Sequence, residues 1–411
     1  MTDFAVRFGD IENAARLISG VVLRTPTLPA PKLSALTGAD VWVKYENLQV
    51  TASFKDRGAL VKLLSLTDEE RARGVIAMSA GNHAQAVAYH ARRLGAPATI
   101  VMPVRTPIIK VANTESYGAR VVLAGETIAE AREKAAEIGE AEGLTLVHPY
   151  DDAAVIAGQG TLALEMLADR PDLDCAVIPI GGGGMISGCA VGLKALKPEI
   201  EIIGVEAASY PSMSAAVRGE TAACGGQTLA EGIAVKTPGR LCVPIVKALV
   251  SDILLVDETA IERAVAAFLT LQKTMAEGAG AAGLAALLTQ PKRFAGRKVG
   301  LVLCGGNIDS RVLASIMMRE LERQDKVISL RLVIDDRPGM LGAIAACLGE
   351  QGANILEVSH RRMLLDVPAK GAILELLIEV KDASHGRAVM TALEAAGHPV
   401  TRIAPSSSAD I

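Results

Sequence analysis

The chain has 411 residues, half of them apolar but only 3% aromatic, so it is long enough for two or three domains whose cores are built mainly from small aliphatic side chains. Its formal net charge of −4, without a long run of one sign, does not indicate nucleic acid or an anionic membrane as a partner. The sequence contains no run of about 18 apolar residues, so a membrane span is not predicted. Its six cysteines have neither metal-ligand nor redox spacing, which predicts reduced thiols in a cytoplasmic protein.

Strands and helices are predicted to alternate from residue 10 to about residue 320. A helix is predicted over 10–17 and a turn-rich connection over 25–29, followed by a strand over 39–45. Apolar runs bounded by turn residues predict further strands near 74–78, 98–102, 119–124, 145–148, 175–180, 202–206, 253–256 and 299–303. This alternation predicts an α/β fold with parallel sheets covered on both faces, in which ligands bind at the carboxyl ends of strands.

Three glycine-bearing segments lie at such strand ends: MSAGNHAQ at 78–85, IGGGGMISG at 180–188 and LCGGN at 303–307. In the second, four glycines let the backbone close around a ligand. The amides of Gly182 to Met185, at a helix N-terminus, then predict a phosphate site. The alternative is a flexible turn without a ligand, which four glycines make costly because glycine loses the most entropy on ordering.

A fourth segment, TASFKDRGAL at 51–60, contains Lys55. Ser53 as N-cap and Asp56 three residues later predict a capping box, which places Lys55 in the first turn of a helix. The positive end of the helix dipole disfavours an ammonium there, and a lysine that loses its proton readily is what imine chemistry requires. The alternative is an ordinary solvated lysine on the surface.

In their order and spacing, the four segments resemble the signature motifs of the fold-type II pyridoxal-phosphate enzymes, and within that group the threonine dehydratases, over about residues 10–320. The resemblance implies a two-lobed, tryptophan synthase β-like catalytic domain over 1–323, with a smaller lobe over about 57–155. It implies that Lys55 is the catalytic residue and forms an imine with pyridoxal phosphate. It further implies that the cofactor contacts Phe54, Lys55, Asn82, Gly181, Gly182, Gly183, Gly184, Met185 and Cys304, and that the substrate contacts Ser79, Ala80, Gly81, Asn82 and His83.

Two of these residues bear on the type of reaction. By resemblance, Cys304 faces the pyridine nitrogen, and a thiol is too weak a donor to keep that nitrogen protonated, which favours β-elimination; the alternative is a buried core cysteine. Serine racemases, which are similar enzymes, carry a serine base at the position of Ala80. Alanine cannot remove a proton, so racemisation is disfavoured and Lys55 is left as the only base for the α-proton.

Two glutamates have open assignments. Glu277, in EGAGAAGL, either lines the cofactor pocket or caps a helix. Glu206 matches a carboxylate that binds a cation in some members of the family, but residues 207–212 lack the second carboxylate, so no metal site is predicted. The histidines at 90, 148, 360, 385 and 398 have no metal-ligand spacing either.

The character of the chain changes after Arg323. Strands over 327–334, 355–360, 372–380 and 400–403 and helices over 340–350 and 384–396 predict a ferredoxin-like βαββαβ module. Its DRPG turn at 336–339, followed by an apolar helix, resembles the ACT regulatory domain over 327–405, which implies an amino-acid effector bound between copies. The alternative is a dimerisation module without a ligand. Residues 406–411 predict a disordered polar tail.

The expected activity, by resemblance, is dehydration and deamination of L-threonine to 2-oxobutanoate and ammonia, with L-serine, giving pyruvate, as a second substrate. The alternatives are a serine or 3-hydroxyaspartate dehydratase or racemase of the same family, and an amino-acid sensor without catalytic activity. The family also implies a homodimer or homotetramer.

Overall fold

The computed structural model describes residues 4–362 and 370–403. By its contacts the chain divides into two compact units, Met1–Ile308 and Asp309–Ile411. The domain boundaries inferred from the sequence, with a catalytic domain over 1–323, stay predictions. Residues 404–405 at the end of the predicted ACT-like domain, and the predicted tail over 406–411, lie outside the described residues.

The first unit alternates strands and helices. Its strands are β1 (Thr27–Pro29), β2 (Asp40–Tyr45), β3 (Val75–Met78), β4 (Ala98–Met102), β5 (Arg120–Leu123), β6 (Thr145–Leu146), β7 (Cys175–Pro179), β8 (Glu201–Ala207), β9 (Asp252–Val256) and β10 (Lys298–Leu303). Its helices are α1 (Phe8–Ile18), α2 (Pro31–Thr37), α3 (Lys55–Leu64), α4 (Asp68–Arg73), α5 (Asn82–Arg93), α6 (Ile108–Ser116), α7 (Ile128–Glu142), α8 (Ala153–Asp169), α9 (Gly184–Leu196), α10 (Ser212–Arg218), α11 (Cys242–Leu249), α12 (Glu258–Gln272), α13 (Gly278–Thr289) and α14 (Pro291–Phe294), with short 3-10 turns at Glu46–Leu48 and Glu231–Ile233.

These strands form two sheets. One has six strands in the order β1-β2-β10-β7-β8-β9, and the other has four in the order β5-β4-β3-β6. Neighbouring strands are parallel except for β1, which pairs with β2 antiparallel. The predicted α/β fold with parallel sheets is therefore confirmed. Strand β1 was missed, because the sequence at 25–29 predicted only a turn-rich connection.

Helix α13 fixes one wall of the region at the carboxyl ends of the strands. Its sequence, GAGAAGLAALLT, is apolar on all sides, and nearly the whole helix is buried against the six-stranded sheet. Small side chains let the helix approach the strands closely: a Cβ at Gly280 would lie 2.4 Å from the carbonyl oxygen of Gly305. The N-cap residue, Glu277, is thereby brought to the end of β10.

Glycines also bring α3, α8 and α9 together backbone to backbone. A Cβ on Gly158 of α8 would lie 2.7 Å from the Cα of Gly58 in α3, and a Cβ on Gly188 of α9 would lie 2.2 Å from the carbonyl oxygen of Ile156. Contacts below 3.0 Å leave no room for a methyl group. This crossing, defined by Gly58, Gly158 and Gly188, sets the position of α3.

The second unit has the βαββαβ order that the sequence predicts. It contains α15 (Ser310–Arg323), β11 (Val327–Asp335), α16 (Met340–Glu350), β12 (Asn354–Arg361), β13 (Gly371–Glu379), α17 (Ala383–Ala395) and β14 (Val400–Ile403). The sheet order is β12-β13-β11-β14 and every pairing is antiparallel, which is the ferredoxin-like arrangement. The core includes alternate residues of β11 packed with Ile344 and Leu348 of α16 and Val389 and Leu393 of α17.

Throughout the part of the chain that the structure describes, no helix is both long enough and apolar enough to cross a membrane.

Candidate active site

The start of α3 is fastened to the end of β10. Phe54 N–H donates to the carbonyl of Cys304 at 3.0 Å, and Gly306 N–H donates to the carbonyl of Ala52 at 2.9 Å. Ala52 adopts a left-handed backbone, with φ of 56°, so that the chain can turn at this point. Two of the four predicted motifs are thus joined by backbone hydrogen bonds, although about 250 residues separate them in the sequence.

The predicted capping box at this helix start is wrong. The N-cap of α3 is Phe54, in a helical conformation and without a side-chain cap hydrogen bond. Asp56 instead accepts hydrogen bonds from the backbone N–H of Thr51 at 3.2 Å and from its hydroxyl at 2.5 Å. Ser53 is buried, and its hydroxyl has no partner among the described residues. Lys55 is nevertheless the first residue of the helix, as predicted.

The Lys55 amine is withdrawn from water. It donates to the carbonyl oxygen of Pro149 at 2.6 Å and lies 5.0 Å from the centre of the Phe54 ring. Burial lowers its pKa to about 8, against the opposing influence of nearby Cys304, Cys242 and Glu277. The Lys55 ammonium therefore loses its proton more easily because it is desolvated. The cause expected from the sequence was instead the helix dipole. A carbonyl partner stabilises the ammonium less than a carboxylate would.

Asn82 sits between two other side chains. Helix α5 begins at this residue, whose Nδ2 donates to Glu277 Oε1 at 2.8 Å and whose Oδ1 accepts from Asn307 Nδ2 at 2.7 Å. Burial raises the pKa of Glu277 to about 7, although the hydrogen bond from Asn82 opposes this. Glu277 is the N-cap residue of α13, but its side chain makes no cap hydrogen bond. Its carboxylate faces Asn82, which favours the pocket assignment over the cap.

The segment from Ser79 to His83 comprises the loop after β3 and the first two residues of α5. Gly81 N–H donates to the Ser79 hydroxyl at 3.2 Å, and Ala80 and Gly81 are partly buried. His83 is buried with Nε2 2.8 Å from the carbonyl of Val147, and burial lowers its pKa to about 3. The imidazole is therefore neutral, with Nε2–H donating to the backbone, and its buried Nδ1 has no partner among the described residues.

The glycine run forms a closely packed loop before α9. Gly183 is the N-cap with φ of 98°, a conformation that glycine adopts without strain. A Cβ on Gly182 would lie 2.3 Å from the ring of Tyr150, whose hydroxyl donates to the carbonyl of Thr237 at 2.9 Å. The first amides of α9 have no partners within the helix, and together with the helix dipole they make an anion site. Tyr150 was missed from the sequence, where no motif contains it.

A buried ion network lies beneath α3. Arg57 is fully buried and donates to both carboxylate oxygens of Glu46 at 2.8 Å and to both oxygens of Glu165 at 2.7 Å. Lys44 Nζ, also buried, donates to Glu165 at 2.6 Å and to the carbonyl of Thr25 at 2.6 Å. Burial raises the pKa of Glu46, but Arg57 and Lys44 outweigh it and the net shift is downward. The network links β2, α3 and α8, and the sequence did not predict it.

Residues 18–305 match the family model described as "Pyridoxal-phosphate dependent enzyme". The chain belongs to this family. It is 44% identical to an L-threonine ammonia-lyase of Thermotoga maritima over 393 residues, which are 95% of this chain and 98% of that protein. Among solved structures, the processed form of threonine deaminase isoform 2 from Solanum lycopersicum is 34% identical with a TM-score of 0.72, covering 76% of this chain and 86% of that one. Maize serine racemase is 34% identical with a TM-score of 0.72, covering 78% and 100%.

The residues present fit pyridoxal phosphate, the cofactor of the family. The cofactor needs an amine, a cradle for a dianion and a group facing its ring nitrogen. Lys55 offers a buried amine of lowered pKa that donates to Pro149, and the next residue, Tyr150, packs against Gly182 before the free amides at the start of α9. Cys304 is the residue predicted to face the ring nitrogen, and burial raises its pKa well above the ordinary value, so it is a neutral thiol. The fold-type II assignment made from the four motifs is confirmed.

Glu206 has a structural partner. Its carboxylate accepts from the backbone N–H groups of Met213 at 2.7 Å and Ser214 at 3.0 Å, in the first turn of α10. Within residues 4–362 and 370–403, no group of three or more histidine, cysteine or acidic side chains is arranged to hold a metal ion.

Proposed function

We propose that the chain is a threonine ammonia-lyase that converts L-threonine to 2-oxobutanoate and ammonia, and L-serine to pyruvate as a second substrate. The observation that carries the proposal is the buried Lys55 amine, of pKa about 8, held where the motifs of this lyase family converge. The 44% identity with the Thermotoga maritima L-threonine ammonia-lyase over nearly the whole of both chains supports threonine as the substrate.

Each site residue then has a role. Lys55 would hold the cofactor and, with substrate bound, would remove the α-proton. The amides of Gly182 to Met185 would hold the phosphate, Asn82 would donate to the phenolic oxygen, and Cys304 would face the ring nitrogen. The cofactor, when bound, supplies the electron sink that makes the α-proton acidic. The loop over 79–83 binds the substrate carboxylate through a hydroxyl and main-chain amides near the start of α5.

Ala80 favours elimination over racemisation. A racemase needs a second base on the face of the substrate opposite the lysine, and the methyl group of Ala80 cannot exchange a proton. Burial lowers the pKa of His83 to about 3, so its unpartnered Nδ1 is a weak proton acceptor, while Nε2–H donates to the carbonyl oxygen of Val147. Lys55 therefore serves as the base, and the α-proton is removed from one face.

The second unit is proposed to regulate the first. Its ferredoxin-like sheet and the DRPG turn at 336–339 support an ACT-like module that binds a small amino acid between copies of the chain, in a cytoplasmic homodimer or homotetramer. Isothermal titration with isoleucine and valine, combined with activity measurements, tests this part. No heat and no change in rate with any amino acid would leave only a dimerisation module.

The activity is tested by turnover of L-threonine, L-serine and 3-hydroxyaspartate, with the oxo-acid product identified. Threonine is expected to be the preferred substrate. Preference for 3-hydroxyaspartate, or formation of D-serine from L-serine, would instead establish one of the related activities. Purified protein is expected to show a visible absorbance band that borohydride removes, and Lys55→Ala is expected to lose both the band and turnover. A colourless wild type indifferent to added pyridoxal phosphate would leave a sensor without catalytic activity.

A further inference from the structure

Two side-chain amides form a chain of hydrogen bonds that begins at a backbone carbonyl. Asn307 Nδ2 donates to the carbonyl oxygen of Thr51 at 2.8 Å and to Oδ1 of Asn82 at 2.7 Å. Asn82 Nδ2 donates in turn to Glu277 Oε1 at 2.8 Å. Thr51 follows β2, Asn307 follows β10, Asn82 begins α5 and Glu277 precedes α13. These hydrogen bonds therefore join four separate parts of the first unit.

The direction of these hydrogen bonds is determined at Thr51. A side-chain amide can be turned over without changing its shape, which exchanges donor and acceptor. A carbonyl oxygen can only accept, so the nitrogen of Asn307 must face Thr51. The second hydrogen on that nitrogen then faces Asn82, which must present its oxygen there and its nitrogen on the opposite side.

Thr51 itself is held in place. Asp56 accepts hydrogen bonds from its backbone N–H at 3.2 Å and from its hydroxyl at 2.5 Å, and both residues are buried. The next residue, Ala52, accepts from Gly306 N–H at 2.9 Å. The carbonyl that starts the chain is thus fixed relative to the segment that carries Asn307.

We infer that Asn307 is a positioning residue that orients the amide of Asn82. Asn82 Nδ2 carries two hydrogens, of which one goes to Glu277. The other is left for the phenolic oxygen of the cofactor, and a reversed amide would present a carbonyl oxygen to it instead. The contact between Asn82 and the cofactor rests on the proposed function. The control of the Asn82 orientation by Asn307 does not.

Asn307→Asp is the most direct test, because it keeps the size of the side chain but removes both hydrogens. We expect pyridoxal phosphate, titrated by fluorescence, to bind more weakly by at least about fivefold, the weight of one hydrogen bond. We also expect the absorbance maximum of the bound cofactor to shift in the same direction as in Asn82→Ala. An unshifted maximum in Asn307→Asp, with a shifted one in Asn82→Ala, would overturn the inference.

Asn47→Asp is the matched control. The Asn47 amide also donates twice, to Thr274 Oγ1 at 2.8 Å and to the carbonyl of Met275 at 3.0 Å, and it lies beside Gly306. Its loss is expected to lower the unfolding midpoint without shifting the absorbance maximum. An equal shift in Asn47→Asp would mean that the loop at 304–307 had merely loosened, which contradicts a specific role for Asn307.

A double-mutant cycle on the cofactor-free protein tests the contact without reference to any reaction. The unfolding midpoint of the Asn82→Ala/Asn307→Asp double variant is expected to fall by less than the sum of the two single variants, because the residues interact directly. Additive losses would overturn the inference. A wild type that fails to bind pyridoxal phosphate would remove the proposed function, while this cycle would still decide the contact between the two amides.

Discussion

Replacing Arg57 by methionine should destabilise the first unit strongly, because it removes a buried cation from between two carboxylates. The substitution keeps the aliphatic volume of the side chain but deletes four hydrogen bonds to carboxylates, two to Glu46 and two to Glu165, and two weaker ones to Thr161 and Leu23. Glu165 keeps Lys44 as a partner, whereas the fully buried Glu46 keeps only neutral donors, Thr25 and Gln49, in direct contact.

The magnitude follows from the burial of Glu46. Breaking a buried ion pair by removing one partner costs about 3–5 kcal/mol. For a unit of about 300 residues, this corresponds to a fall of about 5–8 °C in the unfolding midpoint, since the unfolding entropy scales with chain length. Arg293→Met is the matched control: Arg293 also pairs with two carboxylates, Glu201 and Asp252, but its side chain is 27% exposed. For that variant the expected loss is about 1 kcal/mol or less.

The loss should depend on pH. In the wild type the net lowering of the pKa of Glu46 contributes stability above the unfolded pKa, and this is lost as pH falls. In Arg57→Met, burial should raise the pKa of Glu46, so that its carboxylate must take up a proton when the protein folds. This proton uptake costs free energy at neutral pH, and the cost disappears at low pH, where the unfolded carboxyl is already protonated. The difference between the two proteins, followed by calorimetry, should therefore shrink as pH falls towards about 4. A midpoint within about 1 °C of wild type at neutral pH would refute the reasoning.

Three further predictions concern the site. The rate at which pyridoxal phosphate binds the cofactor-free protein should rise with pH about a midpoint near 8, because the neutral Lys55 amine reacts; a midpoint near the ordinary value of 10.5 would contradict its burial. Gly182→Ala should lose about 1–3 kcal/mol of stability in chemical denaturation through overlap with Tyr150, unlike Gly9→Ala, where the space is open; equal losses in the two variants would refute this. Ala80→Ser should produce measurable D-serine from L-serine by chiral chromatography, and its complete absence would show that a hydroxyl there is insufficient.

Local patterns predicted the frame of this molecule well. The predicted strands near 98–102 and 299–303 match β4 and β10 within one residue, because continuous apolar runs between turn residues leave little ambiguity. Strand β1 was missed because it has three residues and ends in proline, which is tolerated on a sheet edge but resembles a turn in sequence. The order of the ferredoxin-like module was predicted correctly, helped by the alternating burial of its central strand β11.

Contacts between distant residues could not be predicted in this way. Arg57 meets Glu165 across 108 positions, and Asn82 meets Glu277 across 195, so no local pattern relates them. The lowered pKa of Lys55 was expected from the helix dipole, yet its cause is burial, which depends on the packing of the whole unit. Ser53 failed as a cap because the chain enters α3 already helical at Phe54, whose N–H donates to the distant carbonyl of Cys304.

The crossing of α3, α8 and α9 at Gly58, Gly158 and Gly188 limits how the first unit can flex. Side chains can change rotamer when two helices shift, but main chains in direct contact have no such freedom. A displacement of one of these three helices is therefore passed on to the other two. The segment between α3 and α8, which contains the four-stranded sheet, starts and returns at this rigid junction. Any movement of that sheet relative to the three helices would therefore be accommodated by the loops that connect it to α3 and α8.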